Sequence, residues 1–536
     1  METQSVINIF EQLVSARKTQ DGRMQDIVRN VDPGRYDFFN SLLSDSSVDH
    51  SQPAIYDNTA TVGYKLLAAR VHANLMSPVT RWYNIRFRED TYNTTQSYKE
   101  WLEDSVQRMW QQMSESNFNH ATGEMLKDDV LVGTSIVMQE PVNDMIWEGI
   151  DYTAMPVMDS YFQMGPDQRP YRIFRKIRYT REQLQDRFPD MPEDLKIDNT
   201  DESDMDAKIE VIFCVYERDD YKEGTTVEPL KRRYGYKYVL KSAAELLEEG
   251  GYYDFPGLVV RWDKTAGTEW GTGPTSNMLE NIQQLQSTVA HEAEAMAKAI
   301  DPPYITTERG IIGDLDSQPG GLTVVTEMDQ LAPMLPATDF RVPDMKIKDL
   351  QAMIWAGYYL DQLELKDSPA MTATEVQVRL EQMVRLMSSV VGRLQDDYQE
   401  PVLQYLFNTM LRMGQFRELP EGLEEVDLDI IYTGPISRAL QSEVGQGIIQ
   451  FLTLTAELGE VYPELKDLPD IDAMGRKLAE LNGVPASTMR SDEEVAEIRQ
   501  IRMQQQQEAM QRQALMEAGE GIDKLASGAQ KLGAVQ

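Results

Sequence analysis

With a single cysteine, Cys214, the chain has no internal disulfide and no metal site built from several thiolates. Histidine is nearly as scarce. His50, His72, His120 and His291 are the whole set, and none pairs locally with a serine or cysteine in a recognisable nucleophile motif. Each reads as a surface residue or a satisfied core residue. Basic residues are the minority, 52 against 88 acidic ones, for a net charge of -36. That balance favours solubility and argues against a mainly electrostatic grip on nucleic acid. No stretch of ~18 apolar residues occurs, so no membrane span is expected. The opening Met1, Glu2, Thr3, Gln4 has neither the basic flank nor the apolar core of an export signal, and cytosolic synthesis is expected.

Three further absences bear on chemistry. The turn Gly271 to Ser276 is glycine-rich, but no lysine follows its last glycine to reach the outer phosphates of a nucleotide. His291 and Glu292 begin a zinc-protease pattern, yet Ala295 stands where the second histidine belongs. Asp198 to Asp206 holds five acidic residues but has no glycine at the sixth position, where a calcium loop makes its sharp turn. Neither a catalytic residue, a cofactor nor a metal is therefore assigned, and the glycine turn reads as a turn that opens a helix. Cys214 lies in the apolar run Ile209, Val211, Ile212, Phe213, Cys214, Val215, Tyr216 and reads as a buried strand residue.

What is present is ordinary globular material, 41% hydrophobic and 26% charged, enough for two to four subdomains. Residues 1–140 read as mostly helical, with stripes at Val6, Ile9, Phe10, Leu13, Val14, at Leu66, Leu67, Val71, Leu75 before Pro78, and at Trp101, Leu102, Val106, Met109, Trp110, Met113. From 130 to 265 short β-type runs take over, including Ser135 to Gln139, Tyr171 to Tyr179, Ile209 to Tyr216 and Tyr234 to Leu240. A helix then carries Leu279, Ile282, Leu285, Val289, Ala293, Met296 and Ile300. A Gly/Pro-rich excursion follows from Tyr304 to Pro343. A second helix is expected from about Asp344 to Leu365, with Met345, Ile347, Leu350, Ile354, Tyr358 and Leu363 near one face.

After the break at Lys366 to Pro369, Thr372 and Glu375 match a capping box. The stripe Val376, Leu380, Met383, Val384, Met387, Val391, Leu394, Tyr398 runs to Pro401 and resumes through Leu403, Phe407 and Leu411. Such a helix is on the order of 60 Å long if only kinked at the proline. An acidic linker, Glu418 to Asp429, leads to helical sequence over 437–482. The end of the chain, with Gln504 to Gln507, Met503, Met510 and Met516, fits a fraying helix, a disordered end or a helix formed against a partner. No internal repeat is evident. The fold class expected is α+β, predominantly helical.

This order of segments resembles the portal, or head-to-tail connecting, proteins of short-tailed, T-seven-like bacteriophages. The resemblance is carried by Thr61 to Trp82, by the helix opening at Gly271 to Ile300, by the Gly/Pro excursion, and by residues 371–406, over roughly 55–480. It implies a non-enzymatic ring subunit, usually one of twelve, at one capsid vertex. Regions called wing, stem, clip and crown are implied with it. On this chain the wing is 1–270, the first stem helix 271–300, the clip 301–343 and the second stem helix 344–365. A channel loop covers 366–371, a long wing and channel helix with its linker 372–436, the crown 437–482, and a Gln/Met-rich tail 483–536.

The resemblance implies double-stranded DNA in the channel, with Lys346, Lys348, Lys366, Ser368 and Met371 as the channel candidates. Lys346 and Lys348 point roughly 200° apart on a helix and do not face a channel together. Lys366, near a helix C-terminus, is also favoured there by the dipole. Arg309, Gly310, Asp314 and Asp316 are the clip candidates for docking partners. The partners implied are further copies of the chain, a terminase large subunit, a tail adaptor, and major capsid and scaffold or internal core proteins, with no membrane. The implied location is the virion, after assembly in the host cytoplasm. An acidic lumen suits such a ring, because it repels phosphates where a basic wall would hold them by counterion release. Two other readings stand beside it: another ring-forming virion protein such as a tail adaptor or nozzle, and a nucleic-acid enzyme of the packaging machinery. Adaptors are generally shorter chains, and the enzyme lacks its phosphate loop or compact carboxylate cluster.

Overall fold

The computed structural model describes residues 1–35, 54–89, 92–93, 95–189, 191, 208–219, 221, 228–300, 304–306, 331–333, 341–360, 387–420, 428–433, 435–459, 462, 464–465, 468–481, 484, 489–490, 494–508 and 510. They form two compact units. One comprises Met1–Tyr83, Arg108–Phe416 and Tyr432–Glu443; the other comprises Asn84–Gln107, Arg417–Ile431 and Val444–Gln536.

The first unit opens with α1 (Thr3–Val31), whose Val6, Phe10, Met24, Ile27, Val28 and Val31 are buried at helical spacing. α2 (Thr59–Leu75) ends before Pro78 as its stripe predicts. A strand, β1 (Tyr83–Phe87), interrupts the region read as mostly helical before α3 (Gln96–Glu115) and α4 (Phe118–Val132). Gly133, at φ 86°, closes α4 in the left-handed conformation that a Cβ would strain.

Eight strands follow: β2 (Thr134–Pro141), β3 (Ile150–Met155), β4 (Ser160–Met164), β5 (Pro170–Tyr179), β6 (Ile209–Glu217), β7 (Tyr234–Leu240), β8 (Glu245–Tyr252) and β9 (Gly257–Arg261). A short helix, α5 (Arg181–Arg187), follows β5 and opens on a capping box between Thr180 and Gln183. The strands form an antiparallel sheet in the order β3-β2-β9 and a five-stranded antiparallel sheet in the order β4-β5-β6-β7-β8.

β6 reads as a continuous apolar run because both of its faces are covered. Ile212, Cys214 and Tyr216 face Val6, Ile7 and Phe10 of α1, while Phe213 and Val215 pack with Ile136, Met138, Met155 and Val259. Burial pushes the Cys214 thiol up to about 12, which leaves it an inert core residue. α1 is pinned to this layer by Arg17, whose buried guanidinium donates to the carbonyls of Val157 (2.8 Å), Ser160 (2.6 Å) and Met158 and lies 3.8 Å over the Tyr161 ring.

Beyond the sheets come a single turn, α6 (Pro274–Asn277), and α7 (Leu279–Ile300). The excursion contributes two short paired strands, β10 (Tyr304–Thr306) and β11 (Leu331–Pro333), with Tyr304 opposite Pro333. α8 (Arg341–Gly357) corrects the extent expected of the second helix, 344–365. It starts earlier and stops at Gly357, because Tyr359 takes φ 57° and the chain cannot continue as an α-helix. Ile347, Leu350, Ile354 and Tyr358 form its buried face, whereas Met345, expected on that face, is exposed.

Residues 387–394 are α-helical, Gln395–Gln399 form a π turn, and α9 runs Glu400–Arg412. The expected kink at Pro401 takes the form of this wider turn. Proline has no N–H to give, and its ring crowds the carbonyl four residues earlier, so the helix widens just before it. The capping box at Thr372 and Glu375 and the acidic loop Asp198 to Asp206 lie outside the described residues, as does most of the linker after Glu418.

In the second unit β1 pairs with β12 (Leu428–Tyr432). Arg86 and Arg88 reach Asp429 at 3.5 and 3.1 Å, and Phe87 packs among the rings of Tyr92, Tyr98 and Trp101. The part of α10 (Pro435–Leu458) from Val444 on, α11 (Ile471–Leu481) and a helix over 494–508 complete it. Arg499 grips the Asp472 carboxylate with Nη1 and Nη2, at 2.5 and 2.6 Å.

Candidate functional site

The glycine turn is a backbone joint. Built on Gly271, a Cβ would lie 2.1 Å from the Gly133 carbonyl oxygen; built on Gly133, it would lie 2.2 Å from the Gly273 nitrogen. Two stretches of main chain therefore touch where only glycine fits. Thr272 N–H donates to the Asp263 carbonyl (2.7 Å), Gly271 N–H to the Thr134 hydroxyl (2.8 Å), and Trp262 N–H to the Gly133 carbonyl (3.1 Å). Gly273 is the N-cap of α6 without a side-chain cap, and Pro274 occupies the first turn, where a missing N–H costs nothing. The same glycines that superficially suggest a phosphate loop are consumed by packing against α4 and β2.

From this joint α7 and α8 are fastened to the body at named points. The Thr275 hydroxyl, fully buried, donates to the Val130 carbonyl (2.9 Å) and shares a hydrogen bond with the Tyr358 hydroxyl (2.9 Å). The Tyr358 ring lies so close to Gly63 of α2 that a Cβ there would meet it at 2.6 Å. Gln286 of α7 is buried and uses both ends of its amide: its oxygen accepts from Tyr56 and Asp57 N–H (2.9 and 3.1 Å), and its NH2 donates to the Asp57 and Asn30 carbonyls (2.6 and 3.3 Å). Gln351 of α8 donates to the Asp57 carboxylate (2.8 Å). One short segment at 56–57 thus holds both helices.

Further along α7 the fastening ends. Ile282 and Leu285 are buried, but Met296 and Ile300 are exposed, as is Met345 at the end of α8 away from Gln351 and Tyr358. Lys346 and Lys348 are both exposed on α8, and Lys348 pairs with Asp344 at 2.8 Å along the helix. Lys366, Ser368, Met371, Arg309, Gly310, Asp314 and Asp316 lie outside the described residues.

A buried charge cluster, with no sequence signal, lies where the π turn meets the sheet. Arg261 of β9 donates from Nε and Nη2 to the Asp397 carboxylate (3.2 and 3.3 Å). Tyr398 shares a hydrogen bond with Thr122 of α4 (2.7 Å), and Gln399 donates to the Leu75 carbonyl of α2 (3.2 Å). Three consecutive residues thereby anchor the turn to three elements. Nearby Asp129 is fully buried, with neither carboxyl oxygen in an ordinary hydrogen bond. Burial first, then Asp397 and Asp128, hold its carboxyl well above the usual range, against the pull of the Trp262 amide and Arg393. Asp397 is also raised by burial, with Arg261 opposing.

Among the described residues no group of His, Cys, Asp and Glu is placed to hold a metal ion. His72 is half-buried and burial lowers its pKa, while His120 and His291 are exposed. No helix among the described residues is long and apolar enough to cross a membrane. The arrangement is that of a scaffold: two helices held at one end by buried hydrogen bonds, with Met296, Ile300 and Met345 exposed towards the other.

The comparisons with known proteins agree with a scaffold role. The family described as bacteriophage head to tail connecting protein matches residues 3–489. The chain is similar to the probable portal protein of Bordetella phage BPP-1, 24% identical over 485 residues that cover 88% of this chain and 86% of that protein. It is also similar to the portal protein of Salmonella phage epsilon15, 23% identical over 533 residues covering 95% and 92% of the two chains. Members of this family are structural rather than enzymatic. A match of that extent, running from the first helix to beyond α11, places the chain: it belongs to the bacteriophage head to tail connecting proteins.

Proposed function

We propose that the chain acts as a portal by closing, in about twelve copies, into a ring at one capsid vertex through which double-stranded DNA enters and leaves. The portal function itself follows from the family and both relatives. The observation that carries the reading is the family match over 3–489, supported by rooted helices whose far ends expose apolar residues that one copy leaves uncovered. In this reading α7 and α8 are the stem, the excursion 301–343 is the clip, and 366–371 is the channel loop. The crown is 437–482 and the wing is 1–270 with 372–436. Lys346, Lys348, Lys366, Ser368 and Met371 are its channel residues. Arg309, Gly310, Asp314 and Asp316 offer the clip to a terminase large subunit and a tail adaptor, while capsid, scaffold and core proteins meet the remainder. A second virion ring protein, such as an adaptor, is the weaker reading, since both portal relatives match over most of their own length.

The test is direct. Purified protein viewed in negative stain should show rings with a central hole, and light scattering should give one mass many times that of the subunit, without nucleotide or metal. A stable species near 61.2 kDa would sink the ring reading.

A further inference from the structure

α10 carries no charged side chain from Val444 through Ala456. At roughly 100° per residue its side chains divide into four faces. Thr455 and Gly459 are buried and Ile448 and Leu452 half-buried, which makes one face the seat of the helix on its own unit. On the opposite side Gln446, Gln450, Thr453 and Glu457 form an exposed polar ridge. Between these lie two flanks, and both are apolar and open. One is large: Phe451, Leu454 and Leu458 are 42%, 55% and 48% exposed. The other is small: Ile449 is 54% exposed, beside an exposed Ala456.

A helix that is apolar on three sides is buried when it works. A partner seated once, or a two-fold copy, would cover one flank. Two opposed flanks of unlike shape are what a heterologous ring contact requires, where every copy offers one patch to the left and a different one to the right. Charge selects the same occupant. Each copy bears a net -36, so identical copies repel, and they approach at least cost through a surface that brings no like charges together.

We propose that α10 is a lateral contact of the ring, with the Ile449 flank of one copy seated on the Phe451, Leu454 and Leu458 flank of the next. This rests on the ring reading above. It is tested by installing Ile449→Cys and Leu454→Cys in the full-length chain and treating assembled protein with a short bis-maleimide. Buried Cys214 stays silent, so only the new thiols react.

The double variant should give a denaturation-resistant ladder from dimer up to the closed ring. Each single variant should give monomer, and a mixture of the two singles should give dimers. Dimers from a single variant would mean that a flank meets itself, which overturns the proposal. So would rings in the micrograph without a ladder. If the folded double variant fails to assemble while Gln446→Cys/Gln450→Cys assembles without a ladder, loss confined to the flanks supports the contact. Absence of rings from the unmodified chain would instead count against the ring reading.

Discussion

Asp129 is the residue on which the stability of the first unit should depend most visibly on pH. Its folded pKa is raised above the unfolded one, so the folded state holds a proton that the unfolded state gives up. The stability tied to this neutral carboxyl is whole below the unfolded pKa and is lost as pH rises towards the folded value. Asp129→Asn keeps the neutral shape without the titration. Thermal melts from about pH 5 to about pH 8 should therefore fall less steeply for the variant than for the unmodified chain, and parallel curves would refute the assignment. Nothing in the sequence distinguishes Asp129 from Asp128 beside it, which faces Arg35 at 2.6 Å. Local pattern records neither which of two neighbouring carboxylates turns inward nor what waits there. Gly273 is legible only as a turn residue and Gly133 carries no signal at all, because their mutual contact is made by main chain from distant parts of the sequence.

At the scale of elements, legibility followed the covering of faces. The stripe of α1 and the unbroken apolar run of β6 are both readable, since each has its apolar surface packed. β8 is not. An edge strand with Glu245, Glu248, Glu249 and two glycines carries no alternation to read and is held by pairing with β7. The apolar spacing carries the second long helix to 365, because Leu363 continues it, whereas α8 ends at Gly357, just before the left-handed Tyr359. The rooting of α7 and α8 predicts a graded response. Tyr358→Phe removes one buried hydrogen bond and should cost about 1 kcal/mol. Gln286→Ala strips partners from two amides and two carbonyls and should cost about 2–3 kcal/mol. Denaturant melts of each variant check the order, and equal losses would show that the 56–57 segment is not what holds the helix.

For the whole molecule, a charge of -36 makes the lysines proposed for the channel informative. If residues 366–371 project into the lumen, as proposed, weak contacts between Lys366 and passing phosphates guide DNA without trapping it. Lys366→Glu should leave rings intact while shortening the protected genome per particle, and full protection would remove the loop from the channel. The π turn at 395–399 adds a constraint of another kind, on tolerated changes in the gene. A π turn is an α-helix carrying one residue too many, and here Asp397, Tyr398 and Gln399 each hold a different element. Deleting one codon would carry every residue upstream in the helix through roughly 100° relative to those holds. Substitutions along the exposed side of this helix are absorbed locally, whereas insertions and deletions are not, so homologous chains should vary in the lettering of this segment and keep its count.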